Sequence, residues 1–549
     1  MATSTPAPTR ASRIGRFLQS ILKTVREWKE YARFRRSFFF LAKRGPAPGE
    51  EVFLVSFTDW APRLQLEGLI AARLRFAGRR VTVITRRSHR WAVRYFRACG
   101  VRDFVFFDEW MQEAASDVRN EDALALLEQH HSFAGLFQYS WNGVGVGRHV
   151  LSTVARQRLQ GSVTFDDPET DKMLRSFFPQ SLRAASAARK LFAERSPKAV
   201  LFLEKGYTPY GEIFDVALEH RLNVVQYHHA HQSDMIVMKR YTTENRFQHS
   251  HSLSTKSWET VKAMPWSTAQ DEVFMAHLKR AYTEGTWFNR KKLLAGKRVK
   301  TSEEVREQLR LDPAKKTAVV FSHILWDATF FFGTNLFEDY EKWLIATVRA
   351  ACANSRVNWV VKLHPDYTWK MRAAGQGITP RDVVALASGI GELPPHVIIV
   401  PPETDISTYS FFGVMDYAIT VRGTIGIEAP CFGIPVLTAG TGRYSGLGFT
   451  EDSRTPEEYL AKLDRIETIP RLTDDQARLA RKHAHALFNL RPLRCSSFSL
   501  EASALPDGRL ENTLRITTRS RKAFEEATDL QAFADWVLTS RDDDFLAPI

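Results

Sequence analysis

An α/β architecture, with two Rossmann-like domains facing a cleft behind an N-terminal basic amphipathic helix, is predicted by three observations on the sequence. Apolar β-branched runs alternate with helical periodicities from about residue 50. The alternation restarts near residue 315. At 549 residues the chain is too long for one hydrophobic core and suits two domains plus appendages.

Residues 1–45 form the arm, holding eleven Lys or Arg against Glu27 and Glu30, so that +9 of the net +14 lies there. Ile14, Phe17, Leu18, Ile21, Leu22, Val25 and Trp28 recur at helical spacing behind a Ser12 cap, with Arg16, Lys23, Arg26 and Lys29 on other faces. That pattern suits a helix lying on an anionic membrane surface, and equally one whose stripe packs on its own protein. Only +5 remains for the other 504 residues, and no aromatic-basic platform is evident, which argues against a nucleic-acid partner.

Residues 46–300 read as the first Rossmann-like domain. "EVFLVSF", "RVTVIT", "DFVFF", "KAVLFLEKG" and "LNVVQYHHAHQ" are its strand candidates. Helices "LQLEGLIAARLRFAG" and "RWAVRYFRACG" lie between the first three, a helical insertion spans about 111–195, and another helix runs from Tyr210 to His220. Residues 301–490 form the second domain, with strands "TAVVFSHI", "VNWVVKL", "HVIIVPP", "YAITV" and "PVLTAG". The tail, 491–549, carries a helix expected to pack back across the domains.

Cys99, Cys352, Cys431 and Cys495 are far apart and form no CxxC pair, so neither a disulfide framework nor a zinc site is indicated. No apolar run approaches the roughly 18 residues of a membrane span, and no signal-peptide stretch is evident. A cytoplasmic protein, peripheral on the inner face of the cell membrane through residues 1–45, is the expectation.

Ligands of open α/β sheets bind beyond the carboxyl ends of the strands. There the chain places His323 and Asp327, then His364 and Pro365, then Arg422, Gly423 and Thr424. A helix opening at Thr424 or Ile425 presents unpaired N–H groups to an anion, and Gly423 permits close approach. Glu428, one turn on, suits the vicinal hydroxyls of a ribose. His364 can donate to a phosphate oxygen from a loop that Pro365 stiffens. Blander roles exist for each: His-Pro as a turn, Gly-Thr as an ordinary helix start, Glu428 as a solvated acid.

Asp59 follows the first domain's first strand, which puts it at the ligand edge of that sheet as a candidate general base. Glu67 and Glu204 compete with it, and Asp59 equally suits capping the next helix. His228, His229 and His231 invite a metal, but adjacent and alternate residues of a strand point to different faces and no carboxylate follows at ligand spacing. No metal and no cofactor are expected.

"FSHILWDATFFFGTNLFEDYEKWL", "VVKLHPD" and "TVRGTIGIEAPCFGIPVLTAG", followed by "GRYSGLGFT", resemble the bacterial capsule and surface polysaccharide glycosyltransferases of GT-B fold. These are similar to capsular Kdo transferases and to bacterial sialyltransferases, although no acidic-acidic-Gly motif of the latter is found. The resemblance covers about residues 315–465 and implies that His364 and Pro365 contact the donor phosphate, Thr424 a phosphate and Glu428 the ribose. It implies transfer of a sugar from a nucleotide-activated donor, CMP-linked sugars included, to a growing surface polysaccharide or glycolipid. A polyol-phosphate transferase, a nucleotide-sugar 2-epimerase and a noncatalytic assembly protein are the alternatives.

Overall fold

The computed structural model describes residues 10–43, 49–287, 296–365, 381–504 and 510–548. In the first unit β1 (Glu51–Val55), β2 (Arg80–Thr85), β3 (Asp103–Phe106), β4 (Ala199–Phe202) and β5 (Val224–His229) are parallel, while β6 (Met235–Tyr241) runs antiparallel to β5. The second unit holds β7 (Thr317–Phe321), β8 (Asn358–Lys362), β9 (Val397–Val400), β10 (Tyr417–Thr420), β11 (Val436–Thr438) and β12 (Glu451–Asp452), all parallel in the order β12-β11-β10-β7-β8-β9.

The continuous apolar runs follow from burial on both faces. Successive side chains of a strand point to opposite sides. Phe53 and Val55 accordingly join Val150, Phe178, Leu182 and Ile213 of the helical insertion and its neighbours. Val52 and Leu54 face Leu66, Leu69, Ile70 and Phe96 on the other side. The long helix Pro168–Glu194 begins where Asp167 accepts the Thr170 N–H, with Pro168 at its first turn.

From the tail, β13 (Pro492–Arg494) pairs antiparallel with β6, completing a seven-stranded sheet in the order β13-β6-β5-β4-β1-β2-β3. A hairpin of β14 (Phe498–Ala504) and β15 (Leu510–Ile516) follows. Phe533 and Val537 of the last helix, Thr528–Thr539, enter the first unit's core beside Leu69 and Ile70. The tail thus packs largely on the first unit, while its Leu546 joins the cluster that holds Cys431, Phe449 and Ala484 of the second. Helices Thr255–Ala263 and Thr268–Thr283, which precede residue 300, instead place Trp258, Val261, Phe274 and Leu278 against Cys431, Phe449 and Ala484 of the second unit.

The arm is a helix over Arg10–Ser37. Ile14, Phe17 and Leu18 of its stripe lie outside the described side chains. Its last turns dock on the first unit: Phe34 and Phe38 are 4% and 6% exposed, Tyr31 packs on Trp91 and Tyr95, and Gln65 donates to Glu30. Fully burying such a ring stabilises by about 1.5–3 kcal/mol. Further out, Ile21, Leu22, Val25 and Trp28 remain 44–69% exposed. Self-packing therefore describes the helix's last turns and reaches Trp28, which meets Trp91 edge-on at 5.1 Å, while Ile21, Leu22 and Val25 of the stripe are uncovered.

Candidate functional site

At the carboxyl edge of the second sheet, backbone and side chains stitch the loops after β7, β8 and β10 together. Ser322 accepts the His364 N–H at 3.0 Å. His323 Nε2 accepts the N–H groups of Val421 and Arg422 at 3.2 and 3.4 Å and lies 3.1 Å from Thr420 Oγ1. The His-Pro loop and the Arg-Gly-Thr loop are thus joined through Ser322 and His323; the chain beyond Pro365, from Asp366, lies outside the described residues.

His323 is a bracket in this arrangement. Its ring stacks on Tyr340 at 4.4 Å and meets Trp343 edge-on. Burial, with Arg422 and His364 nearby, holds its pKa well below the usual imidazole range. With Nε2 accepting, it is a neutral ring that fixes the loop after β10. Asp327 lies 3.4 Å from the Tyr207 hydroxyl of the first unit, so it spans the junction.

The helix expected to open at Thr424 is one turn, Ile425–Glu428, passing into a 3-10 turn over Ala429–Phe432. Pro430 and the Gly433 reversal end it, so the dipole at Thr424 is far weaker than the sequence suggested. Gly423 is required locally, because a Cβ there would stand 2.9 Å from the Thr420 hydroxyl that accepts its own N–H. Glu428 is 2% exposed and accepts a hydrogen bond from the Tyr282 hydroxyl. Its carboxylate faces the helix Thr268–Thr283.

Between the two units lies a cavity of about 700 Å³. Arg422, Arg443, Arg148, Asn335 and His249 line it, with an aromatic wall that includes Phe137 and Phe247. Arg422 is 8% exposed; its Nη2 donates to Asn335 Oδ1, while Nε and Nη1 have no hydrogen-bond partner among the described residues. Arg443 donates to the Arg422 carbonyl at 3.3 Å. Arg148 stacks 4.0 Å from the Phe137 ring and 4.8 Å from Phe247. Burial pulls the pKa of both Arg443 and Arg148 down from the usual guanidinium range. The lining acids, Glu244 and Glu338, are exposed at the rim. Buried N–H groups without acceptors are costly, so the cavity suits an anion with several oxygens.

The three acids considered for the base have different surroundings. Asp59 is exposed and accepts the Ala92 N–H at 3.0 Å, capping the helix Arg90–Ala98, and it does not line the cavity. Glu67 is fully buried and holds Ser56 and Arg63 at 2.5 and 2.9 Å. Burial raises its pKa, with both partners opposing. Glu204 is part-exposed beside Arg63, Arg156 and Tyr207.

His231 is 3% exposed and packs its ring on Trp287 and Phe488. His228 lies 6.4 Å from His251. Among the described residues no group of three or more His, Cys, Asp or Glu is arranged to hold a metal ion.

Arg443, Arg148, Asn335 and His249 carried no signal of their own in the sequence. Arg443 stood in the quoted "GRYSG", where only its neighbours suggested a site.

No family model matches the chain, and no curated protein matches it. Among solved structures it is similar to the β-Kdo 2,7 transferase of KpsC from Thermosulfurimonas dismutans, at 17% identity and TM-score 0.31 over 63% of this chain and 89% of that one. The β-Kdo 2,4 transferase of the same KpsC aligns at 16% and TM-score 0.30, covering 58% and 84%. A UDP-GlcNAc 2-epimerase from Neisseria meningitidis aligns at 10% and TM-score 0.26, covering 79% and 95%. Likenesses this loose carry neither fold nor function, which rest on the chain's own sequence and geometry.

Proposed function

We propose that the protein is a glycosyltransferase that holds the phosphate of a nucleotide-activated sugar in the cavity between its two units. The observation that carries this reading is Arg422: a buried guanidinium whose Nε and Nη1 have no partner among the described residues, beside Arg443, in a cavity whose described lining acids, Glu244 and Glu338, are exposed. A phosphate accepts from such a fork at two oxygens. The leaving nucleotide gains charge as the glycosidic bond breaks, so donors already aimed at it favour the transition state over the ground state. His364, Pro365 and Thr424, on the stitched loops beside Arg422 but outside the cavity lining, are assigned to the same donor; the ribose role expected of Glu428 is not kept, because its carboxylate is 2% exposed, bonded to Tyr282 and does not line the cavity. A carboxylate of the first unit then takes the acceptor proton. Asp59 keeps that assignment, with Glu204 as its rival: Asp59→Asn and Glu204→Gln are expected to differ, the true base losing about 100-fold or more in turnover while donor affinity stays near that of the parent. Equal turnover in both variants and the parent would remove both acids from the mechanism.

The resemblance of the second unit's motifs supports a surface polysaccharide or glycolipid acceptor. A thermal-melt screen of nucleoside mono- and diphosphates tests the donor. A ligand at 100 times its Kd stabilises by about 2.7 kcal/mol. If none of them raises the melting temperature, the nucleotide-sugar reading is lost and the noncatalytic alternative leads.

The arm is assigned to the anionic inner face of the cell membrane, supported by Ile21, Leu22, Val25 and Trp28, exposed among Lys23, Arg26 and Lys29. No helix of the described residues is long and apolar enough to cross a membrane. Deleting residues 1–25 should therefore release the protein from anionic vesicles without lowering its melting temperature. Deleting 1–45 also removes Phe34, Phe38, Phe40 and Leu41 from the first unit's core and should destabilise it by several kcal/mol. Undiminished co-sedimentation of the shorter deletion would refute the membrane assignment.

A further inference from the structure

His249 lies in the segment that follows β6 and lines the cavity from the first unit, opposite Arg422 and Arg443 of the second. Three contacts fix that segment. Lys205, 2% exposed, donates to the carbonyls of Arg246 and Gln248. The Phe247 carbonyl accepts the Gly333 N–H of the second unit at 2.7 Å. His249 itself packs on Phe332, ring centroids 4.6 Å apart.

The tautomer of His249 is set by its backbone. The His251 N–H donates to Nδ1 at 3.1 Å, so Nδ1 is the lone-pair nitrogen and Nε2 carries the proton. Burial, and next to it the charge of Arg443, disfavours a second proton. The ring is therefore a neutral donor whose Nε2–H has no hydrogen-bond partner among the described residues. It is unsuited to take a proton through Nδ1, which is occupied.

We infer that His249 is a ligand-contacting residue whose Nε2–H donates to an oxygen of the anion held by Arg422 and Arg443, so that the anion is gripped from both units. This rests on the anion reading of the cavity given above. It adds a first-unit contact that no motif indicated. It also gives binding a structural consequence, because one ligand then bridges a junction that the described backbone crosses at the Phe247–Gly333 hydrogen bond.

Inorganic pyrophosphate tests this without knowledge of the sugar or nucleotide. Titrated calorimetrically into the full chain, it should bind His249→Ala about 10-fold to 100-fold more weakly than the parent, the range for a hydrogen bond to a charged acceptor. His249→Gln, whose amide nitrogen reaches the place of Nε2, should recover most of that loss. His249→Asn, which mimics the Nδ1 side, should not. A residue needed only for packing would show no such split. Nitrogen-15 histidine spectra of the parent should show the proton on Nε2.

Arg422→Met serves as the control for the cavity itself. If it loses pyrophosphate while His249→Ala binds as the parent does, the His249 inference falls and the cavity reading stands. Rescue by Asn instead of Gln, or a proton found on Nδ1, also overturns the inference. A parent chain that does not bind pyrophosphate overturns both readings.

Discussion

Arg422→Met is expected to weaken binding of pyrophosphate or of a nucleotide donor about 100-fold or more. At least two charge-assisted hydrogen bonds are lost, each contributing about 1.5–3 kcal/mol, and about 1.4 kcal/mol is tenfold in affinity. The same substitution should leave the ligand-free protein as stable as before, or more so. Without ligand the guanidinium is 8% exposed and its Nε and Nη1 have no acceptor among the described residues, an arrangement that methionine of similar length relieves. Asn335 retains its other hydrogen bond, from Nδ2 to the Thr329 carbonyl at 3.0 Å. Affinity and melting temperature should therefore move in opposite directions or separately, which is the signature of a binding residue held at the expense of stability. Unchanged affinity, or a fall of several degrees in melting temperature, would instead make Arg422 a structural residue.

Acid should unfold this protein early. His228, His249, His251, His323 and His483 are all held below the ordinary imidazole pKa, with burial the largest cause for each; for His228 and His483 the value falls to about 3. The unfolded chain takes up these protons below about pH 6.5, and the native chain resists. Stability is thus fully present above that pH and falls as pH drops from 6.5 toward 3. Each fully withheld proton costs about 1.4 kcal/mol per pH unit. His483 is completely buried, while the other four rings are part-exposed and count for less. Together they amount to roughly 3 kcal/mol per pH unit, against a usual total of about 5–15 kcal/mol. Urea denaturation at pH 7.5, 6.0 and 5.0 should show the midpoint falling steeply below pH 6.5. A midpoint constant across that range would mean that native proton uptake, at these rings or at the buried acids Glu67, Glu212, Asp339 and Asp382, whose pKa values burial raises, matches that of the unfolded chain.

Much of the fold was legible because burial on two faces writes a strand as an uninterrupted apolar run. "VNWVVKL" contains β8, whose residues are all buried, and "RVTVIT" is β2. β6 was not legible. Its "MIVMKRY" carries Lys239 at 0% exposure; the Asp544 carboxylate, far along the chain and 2.8 Å away in space, neutralises it, and the Ser252 carbonyl at 3.2 Å accepts from it as well, which makes a buried lysine compatible with a core strand. Of the site, the loops bearing His323, His364 and Arg422 could be placed from their positions after strands, since the sheet brings the ends of β7, β8 and β10 to one edge. Arg148, His249 and Arg443 could not. Each owes its place to the packing of one unit against the other, and nothing local to those residues encodes that.

The pairing of β13 with β6 has a consequence for how the chain is made. Lys239 emerges from the ribosome 305 residues ahead of the Asp544 carboxylate that neutralises it, a delay of roughly 15–60 s at 5–20 residues per second. Until β13 is made the outer edge of β6 has no partner strand, and until the last helix is made the core face that will receive Phe533 and Val537 is uncovered. All six strands of the second sheet lie between, so that unit can close while the first still waits. The half translated first is thus the one whose sheet and core are completed by the last-made residues.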